Sequence, residues 1–130
     1  AGKDASGDIT SQRLWVTTKR NLQRIGTGAV VGVHYYILTE PGIFQCIDVA
    51  TGKIVKQARV GKGGNWGSVT HAGGKLYVTN QAGQTLILSA VPDFEVLTTN
   101  PVNEMTRGSP AFSNGQVFLR TYEHLWCWGK

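Results

Sequence analysis

Cysteine is nearly missing from this 130-residue chain: Cys46 and Cys127 stand alone, 81 positions apart. Two thiols so separated make neither a disulfide framework nor a zinc site. Both lie in apolar strand patterns, so two buried free thiols are expected. No apolar stretch approaches the roughly 18 residues of a membrane-spanning helix. The first residues have neither the charged start nor the apolar centre of a signal peptide, so any export signal is expected upstream. No segment carries the 3.6-residue periodicity of an amphipathic helix. Acidic residues are also scarce, eight against 13 Lys and Arg, for a formal charge of +5. The basic residues, among them Lys3, Lys19, Arg20, Lys53, Lys56, Lys62 and Lys75, fall mostly near turn signals and never run beyond two. That scatter reads as a solvated surface rather than a nucleic-acid groove or a lipid-binding patch.

What the chain does have is glycine, 17 of them, among Trp, Tyr, Phe and β-branched residues. That mixture suits many short strands joined by tight turns. The strands recur with a period. Tyr36, Tyr77 and Phe118 are 41 residues apart, each followed by an apolar residue. Gly42 maps onto Gly83, and Cys46 maps onto Ile87 and then Cys127. Gly67-Ser68 and Gly108-Ser109 are also 41 apart, with Gly28-Ala29-Val30 leading an earlier copy. Asp8, Leu14 and Trp15 precede Asp48, Ile54 and Val55 by 40.

Each period reads as four strands separated by turns. In the second copy these are predicted at Ser68–His71, Leu76–Thr79, Thr85–Ser89 and Glu95–Thr98. Four short antiparallel strands per 40 or so residues is the pattern of a propeller blade. The fold class expected is all-β, a β-propeller segment of about three four-stranded blades split across the termini. Residues 1–19 are read as the last strand of a blade, around Arg13–Thr17. Residues 20–60 and 61–101 are read as whole blades and 102–130 as three strands of another. Propellers have typically four to eight blades, so the missing ones are expected from a longer polypeptide or from further copies of the chain. In a ring of copies, the strand near Trp15 of one chain would complete the last blade of its neighbour.

The run Cys46-Ile47-Asp48-Val49-Ala50-Thr51-Gly52-Lys53-Ile54-Val55 resembles the hallmark of pyrroloquinoline-quinone-like repeats. In those repeats a strand ending in Asp is followed by Thr-Gly-Lys and a docking Trp. Gly74 to Thr79, and Ser109-Pro110-Ala111 through Cys127, are similar to the same family. Trp15 keeps the docking position, whereas Val55 and Val96 stand at the later ones and Pro92-Asp93-Phe94 replaces Thr-Gly-Lys. The resemblance implies a bacterial propeller in the periplasm or outside the cell. The family includes quinone-dependent dehydrogenases and also the noncatalytic lipoprotein of the outer-membrane assembly machinery.

The enzymes of that family resemble one another in a vicinal cysteine pair, a catalytic Asp and acidic or amide calcium ligands. None is recognisable here, so no cofactor is expected; quinone with calcium belongs to an alternative reading, a dehydrogenase fragment. Asp48 reads as a turn cap, with Trp15, Thr51, Gly52 and Lys53 as the structural repeat motif. His34, His71 and His124 are 37 and 53 residues apart, without metal-ligand spacing. Ser68, Ser109 and Ser113 lack a nucleophile elbow, and Gly61 to Gly64 is an incomplete phosphate loop.

The remaining candidate site is the mouth of the central channel, where loops enter the innermost strands. It comprises Arg24, Asn65, Trp66 and Arg107, with Thr106 beside the last. Arg and Trp are favoured at binding hot spots. The expected function is a noncatalytic scaffold for a protein or small ligand. A third reading is an engineered or fragment protein whose only activity is ring assembly.

Overall fold

The computed structural model describes residues 6–17 and 25–129. Its strands form three antiparallel sheets in chain order. The first holds β1 (Ala29–Val31), β2 (His34–Thr39), β3 (Ile43–Asp48) and β4 (Ile54–Arg59), hydrogen-bonded in sequence order. The second holds β5 (Thr70–Ala72), β6 (Lys75–Thr79), β7 (Gln84–Ser89) and β8 (Val96–Pro101). The third has β9 (Ala111–Ser113), β10 (Gln116–Arg120) and β11 (Leu125–Trp128). These are propeller blades, each a meander of short strands. The predicted strands of the second copy all exist, shifted by no more than a few residues at their ends.

The period-2 alternation of the strands decides what lies between blades. Tyr36, Leu38, Phe44 and Cys46 of the first sheet meet Leu76, Val78, Leu86, Leu88 and Phe94 of the second in one buried cluster. Phe94 stands edge-on to Phe44 with centroids 4.9 Å apart. On the second sheet's far side Tyr77 packs on Phe112, centroids 4.6 Å apart. Tyr36 lies opposite Cys46 across the β2–β3 ladder. Burial, with a smaller contribution from Cys46, raises the Tyr36 pKa to about 12.

Backbone contacts repeat with the blades. Val60 N–H donates to Gly42 O, and Val102 N–H to Gly83 O. At Gly67 an added Cβ would lie 2.7 Å from Gly108 O, so the inner strands approach closely because that position has no side chain.

Three expectations are corrected. Arg13–Thr17 forms no strand; a 3-10 turn at Thr10–Gln12 precedes it, and Arg13 leaves that turn with extended backbone. Cys127 is exposed, while Cys46 is buried. Each lies opposite the repeat's aromatic residue in its blade, and among the described residues a neighbouring sheet packs over Cys46 and none over Cys127. Finally, the residue of β4 that reaches into the neighbouring blade is Lys56, not Val55, which is half exposed.

Candidate functional site

The repeat motif builds the blade corner. Asp48 Oδ1 accepts hydrogen bonds from Thr51 N–H at 2.8 Å and from the Thr51 hydroxyl at 2.6 Å. The hydroxyl bond first, then the amide bond, holds the Asp48 carboxyl below its ordinary pKa. Gly52 follows with φ +70°, and its missing Cβ leaves the space in which the Trp15 indole lies. Trp15 Nε1–H donates to Val49 O at 2.7 Å. Asp8 forms the same cap with Thr10, at 2.8 and 2.6 Å. Asp48 is thus occupied in holding a turn. Lys53 N–H lies 3.4 Å from the Thr51 hydroxyl.

Just before the first strands of their sheets, successive blades are linked by hydroxyls. Thr27 N–H donates to Ser68 Oγ at 3.0 Å, and Ser68 N–H donates to Ser109 Oγ at 2.8 Å. Each step spans one 41-residue period. The two serines therefore join blades rather than attack a substrate.

The channel-mouth candidates divide. Arg24 lies outside the described residues. Asn65 is buried, its Nδ2–H donating to Gly67 O at 3.1 Å, while its Oδ1 is buried without a partner. Thr106 occupies the equivalent place one period on, donating to Arg120 O and accepting from Gly108 N–H. These two side chains brace the loops. Trp66 and Arg107 come together at the surface: the Arg107 guanidinium lies over the Trp66 ring, 4.0 Å from its centroid. The same guanidinium is 5.7 Å from the Tyr122 ring centroid. A cation held between aromatic faces keeps its fork of N–H donors in a narrow range of orientations. No carboxylate pairs with Arg107 among the described residues.

Sequence reasoning missed Tyr122, which enters from the β10–β11 turn. The signal was available, because Tyr122 falls 41 residues after Gln81, and Gln81 and Tyr122 N–H both bond to the loop before the inner strand. It also missed a polar cluster on that turn. Glu104 accepts from Glu123 N–H at 2.5 Å and from Trp126 Nε1–H at 3.3 Å, and lies 2.9 Å from His124 Nδ1. Partial burial raises the Glu104 pKa, but bonds from His124, Glu123 N–H, Thr121 and Trp126 outweigh it and hold the value at about 2. Ligand atoms of Glu104, Glu123 and His124 fall within 4.8 Å of one another, close enough to share a cation. Both Glu104 oxygens already accept hydrogen bonds, and the cluster as it stands ties two loops together. His34 begins β2 and His71 lies in β5, remote in sequence from this cluster and in other sheets.

The chain has the fold of a β-propeller segment. Its fold is similar to that of BamB from Moraxella catarrhalis, with TM-score 0.63 and 14% identity, over 78% of this chain and 32% of that one. It is also similar to the quinohemoprotein alcohol dehydrogenase from Comamonas testosteroni, with TM-score 0.61 and 19% identity, over 76% of this chain and 18% of the enzyme. The β-propeller domain of Cps50 (Swd1) from Myceliophteria thermophila aligns with TM-score 0.58 and 21% identity, over 80% of this chain and 39% of that one. The chain thus spans well under half of each. No protein-family model matches the sequence, and no curated protein does. None of the helices among the described residues is long and apolar enough to cross a membrane.

Cys46 is buried between the first two blades and Cys127 is exposed on the third, so no vicinal pair exists. Asp48 is committed to its turn and Glu104 to its loop staple.

Proposed function

We propose that this chain is a noncatalytic propeller scaffold that binds a protein partner through the channel mouth, within a larger ring in an exported bacterial protein. The observation that carries the reading is Arg107 stacked on Trp66 beside Tyr122, exposed and without a carboxylate partner among the described residues. An Arg fork preset by aromatic stacking loses little entropy on engaging a carboxylate or backbone carbonyl. Aromatic and Arg anchors of this kind carry a large share of interface energy. The remaining blades would come from a longer polypeptide or from copies of the chain. BamB and the Cps50 (Swd1) propeller domain share this fold, as does the alcohol dehydrogenase, so the fold accommodates a scaffold and the preference for one rests on the site.

The test is retention of one defined partner, identified by cross-linking and mass spectrometry from a periplasmic extract, on wild-type and variant protein. Arg107→Ala and Trp66→Ala, with unchanged melting temperature, are expected to weaken that binding about ten-fold or more. Binding untouched by either variant would remove the site from consideration. Titration with pyrroloquinoline quinone and calcium, read by absorbance and melting temperature, addresses the dehydrogenase alternative; no change is expected.

A further inference from the structure

We propose that the surface formed by Trp66, Arg107 and Tyr122 takes a peptide carboxylate flanked by apolar residues, supplied by a protein partner as an Asp or Glu side chain or as a chain end. The inference rests on the scaffold reading and names the chemistry that its site recognises.

The cation is oriented but not neutralised. Arg107 is exposed on the loop before β9, its guanidinium 4.0 Å from the Trp66 ring centroid and 5.7 Å from that of Tyr122. Stacking uses the face of a guanidinium and leaves the N–H groups along its edge able to donate. Among the described residues no carboxylate meets them.

The acids close by in sequence are engaged elsewhere. Glu104 Oε1 accepts from Glu123 N–H and Oε2 from Trp126 Nε1–H, with His124 Nδ1 2.9 Å away. The ligand atoms of Glu123 and His124 lie within 4.8 Å of that of Glu104. The β10–β11 turn thus divides its chemistry, with Tyr122 beside Arg107 and Glu123 and His124 beside Glu104. Arg120 of β10 is a contrast, because its guanidinium donates to Thr121 O and His124 O and is satisfied within its own turn. Arg107 is left to meet an anion from outside, and a formal charge of +5 on the chain favours the approach of one.

The flanks define what surrounds that anion. Ile25, Trp66 and Arg107 are spaced by 41 residues, and each stands two positions before a member of the hydroxyl series, Thr27, Ser68 and Ser109. That series links successive blades, so these three side chains follow one another from blade to blade. Beside Arg107, Tyr122 N–H donates to Met105 O at 3.0 Å, which brings Met105 next to Tyr122. Ile25, Met105 and Tyr122 are 58%, 57% and 49% exposed. One charged fork set among Trp, Tyr, Met and Ile has the composition of a protein-binding surface. A phosphate backbone would call for a row of cations instead.

The test is an NMR titration of the isotope-labelled full chain, read at the Trp66 Nε1–H resonance. The probes are acetyl-Leu-Asp-Leu-amide, acetyl-Leu-Asn-Leu-amide, and acetyl-Leu-Asn-Leu with a free terminal carboxylate. At least one acidic peptide is expected to give a saturable shift and to bind about ten-fold or more tighter than the neutral amide; which of the two does so tells a side chain from a chain end. Arg107→Lys keeps the charge and loses the fork, and should weaken that peptide about ten-fold while the rest of the spectrum stays in place. Equal binding of acidic and neutral peptides overturns the proposal, as does binding unchanged in Arg107→Lys. A partner retained through Trp66 and Arg107 by a chain that responds to neither acidic peptide would overturn this inference alone and leave the scaffold reading standing.

Discussion

Trp15 and Phe94 fill equivalent spaces from opposite sides of a blade junction. At the first junction the aromatic ring comes from the docking segment and the corner residue is Gly52; at the second the corner residue is itself aromatic and the docking residue is Lys56. The polar ends are matched as well. Trp15 Nε1–H bonds to Val49 O, and Lys56 Nζ bonds to Phe94 O at 3.0 Å and pairs with Asp93. The large side chain has moved from one partner to the other while the gap stays filled, as close packing requires.

Phe94→Ala is therefore expected to cost about 3–5 kcal/mol, the range for a fully buried aromatic. Trp15→Ala should cost about 1–2 kcal/mol, because the indole is 37% exposed and loses one hydrogen bond. Urea unfolding of both variants compares the two. Equal losses would contradict the unequal burial.

Gly52→Ala should displace Trp15. The added Cβ would lie 2.6 Å from the indole at a position with φ +70°. Emission from four tryptophans overlaps, so the comparison is made in a background with Trp66, Trp126 and Trp128 replaced by Phe. A red shift of Trp15 fluorescence is the expected outcome.

Asp93→Asn is expected to change stability by less than about 0.5 kcal/mol, because the Asp93 side chain is 88% exposed and solvent screens its pairing with Lys56. Lys56→Ala should cost more, since the stem also covers the Phe94 ring, 5.0 Å from ammonium to centroid. Thermal melts at two salt concentrations separate the contributions: the Asp93 effect fades with salt and the stem's does not.

The loop staple predicts acid sensitivity. The Glu104 pKa falls on folding from the ordinary 4.5 to about 2. A depressed carboxyl contributes stability that is complete above the unfolded value and is lost as pH falls through the folded one. Wild-type protein should thus lose stability between about pH 4.5 and 2 more steeply than Glu104→Gln, measured by urea midpoints across that window. Parallel curves would show that Glu104 does not contribute.

Much of the architecture was readable because propeller blades repeat in sequence as well as in space. Tyr36, Tyr77 and Phe118 occupy the same place in their second strands, and the 41-residue spacing located them before any contact was known. The same spacing placed Trp66 and Arg107 on successive loops, and the cation–aromatic contact follows from that adjacency. What escaped reading was substitution by exchange. Val55 was sought as the docking residue because an apolar side chain was expected there, but the aromatic volume had passed to Phe94 and left a lysine behind. Glu104 and His124 are 20 residues apart and belong to no motif. Only the meeting of two loops brings them together. Cys127 reads as buried because the strand pattern assumes a covering blade.

The hydroxyl series from Thr27 to Ser68 to Ser109 gives the fold a rule for growth. Both steps cross one junction and one period, and Ser68, which accepts from Thr27 N–H, also donates to Ser109 Oγ. A duplicated 41-residue unit would therefore arrive with its own connection in both directions, whereas an insertion of another length between successive serines must be looped out at the outer turns to leave the series intact. Whole units can be added with this hydroxyl connection intact, even though the side chains that fill each junction differ.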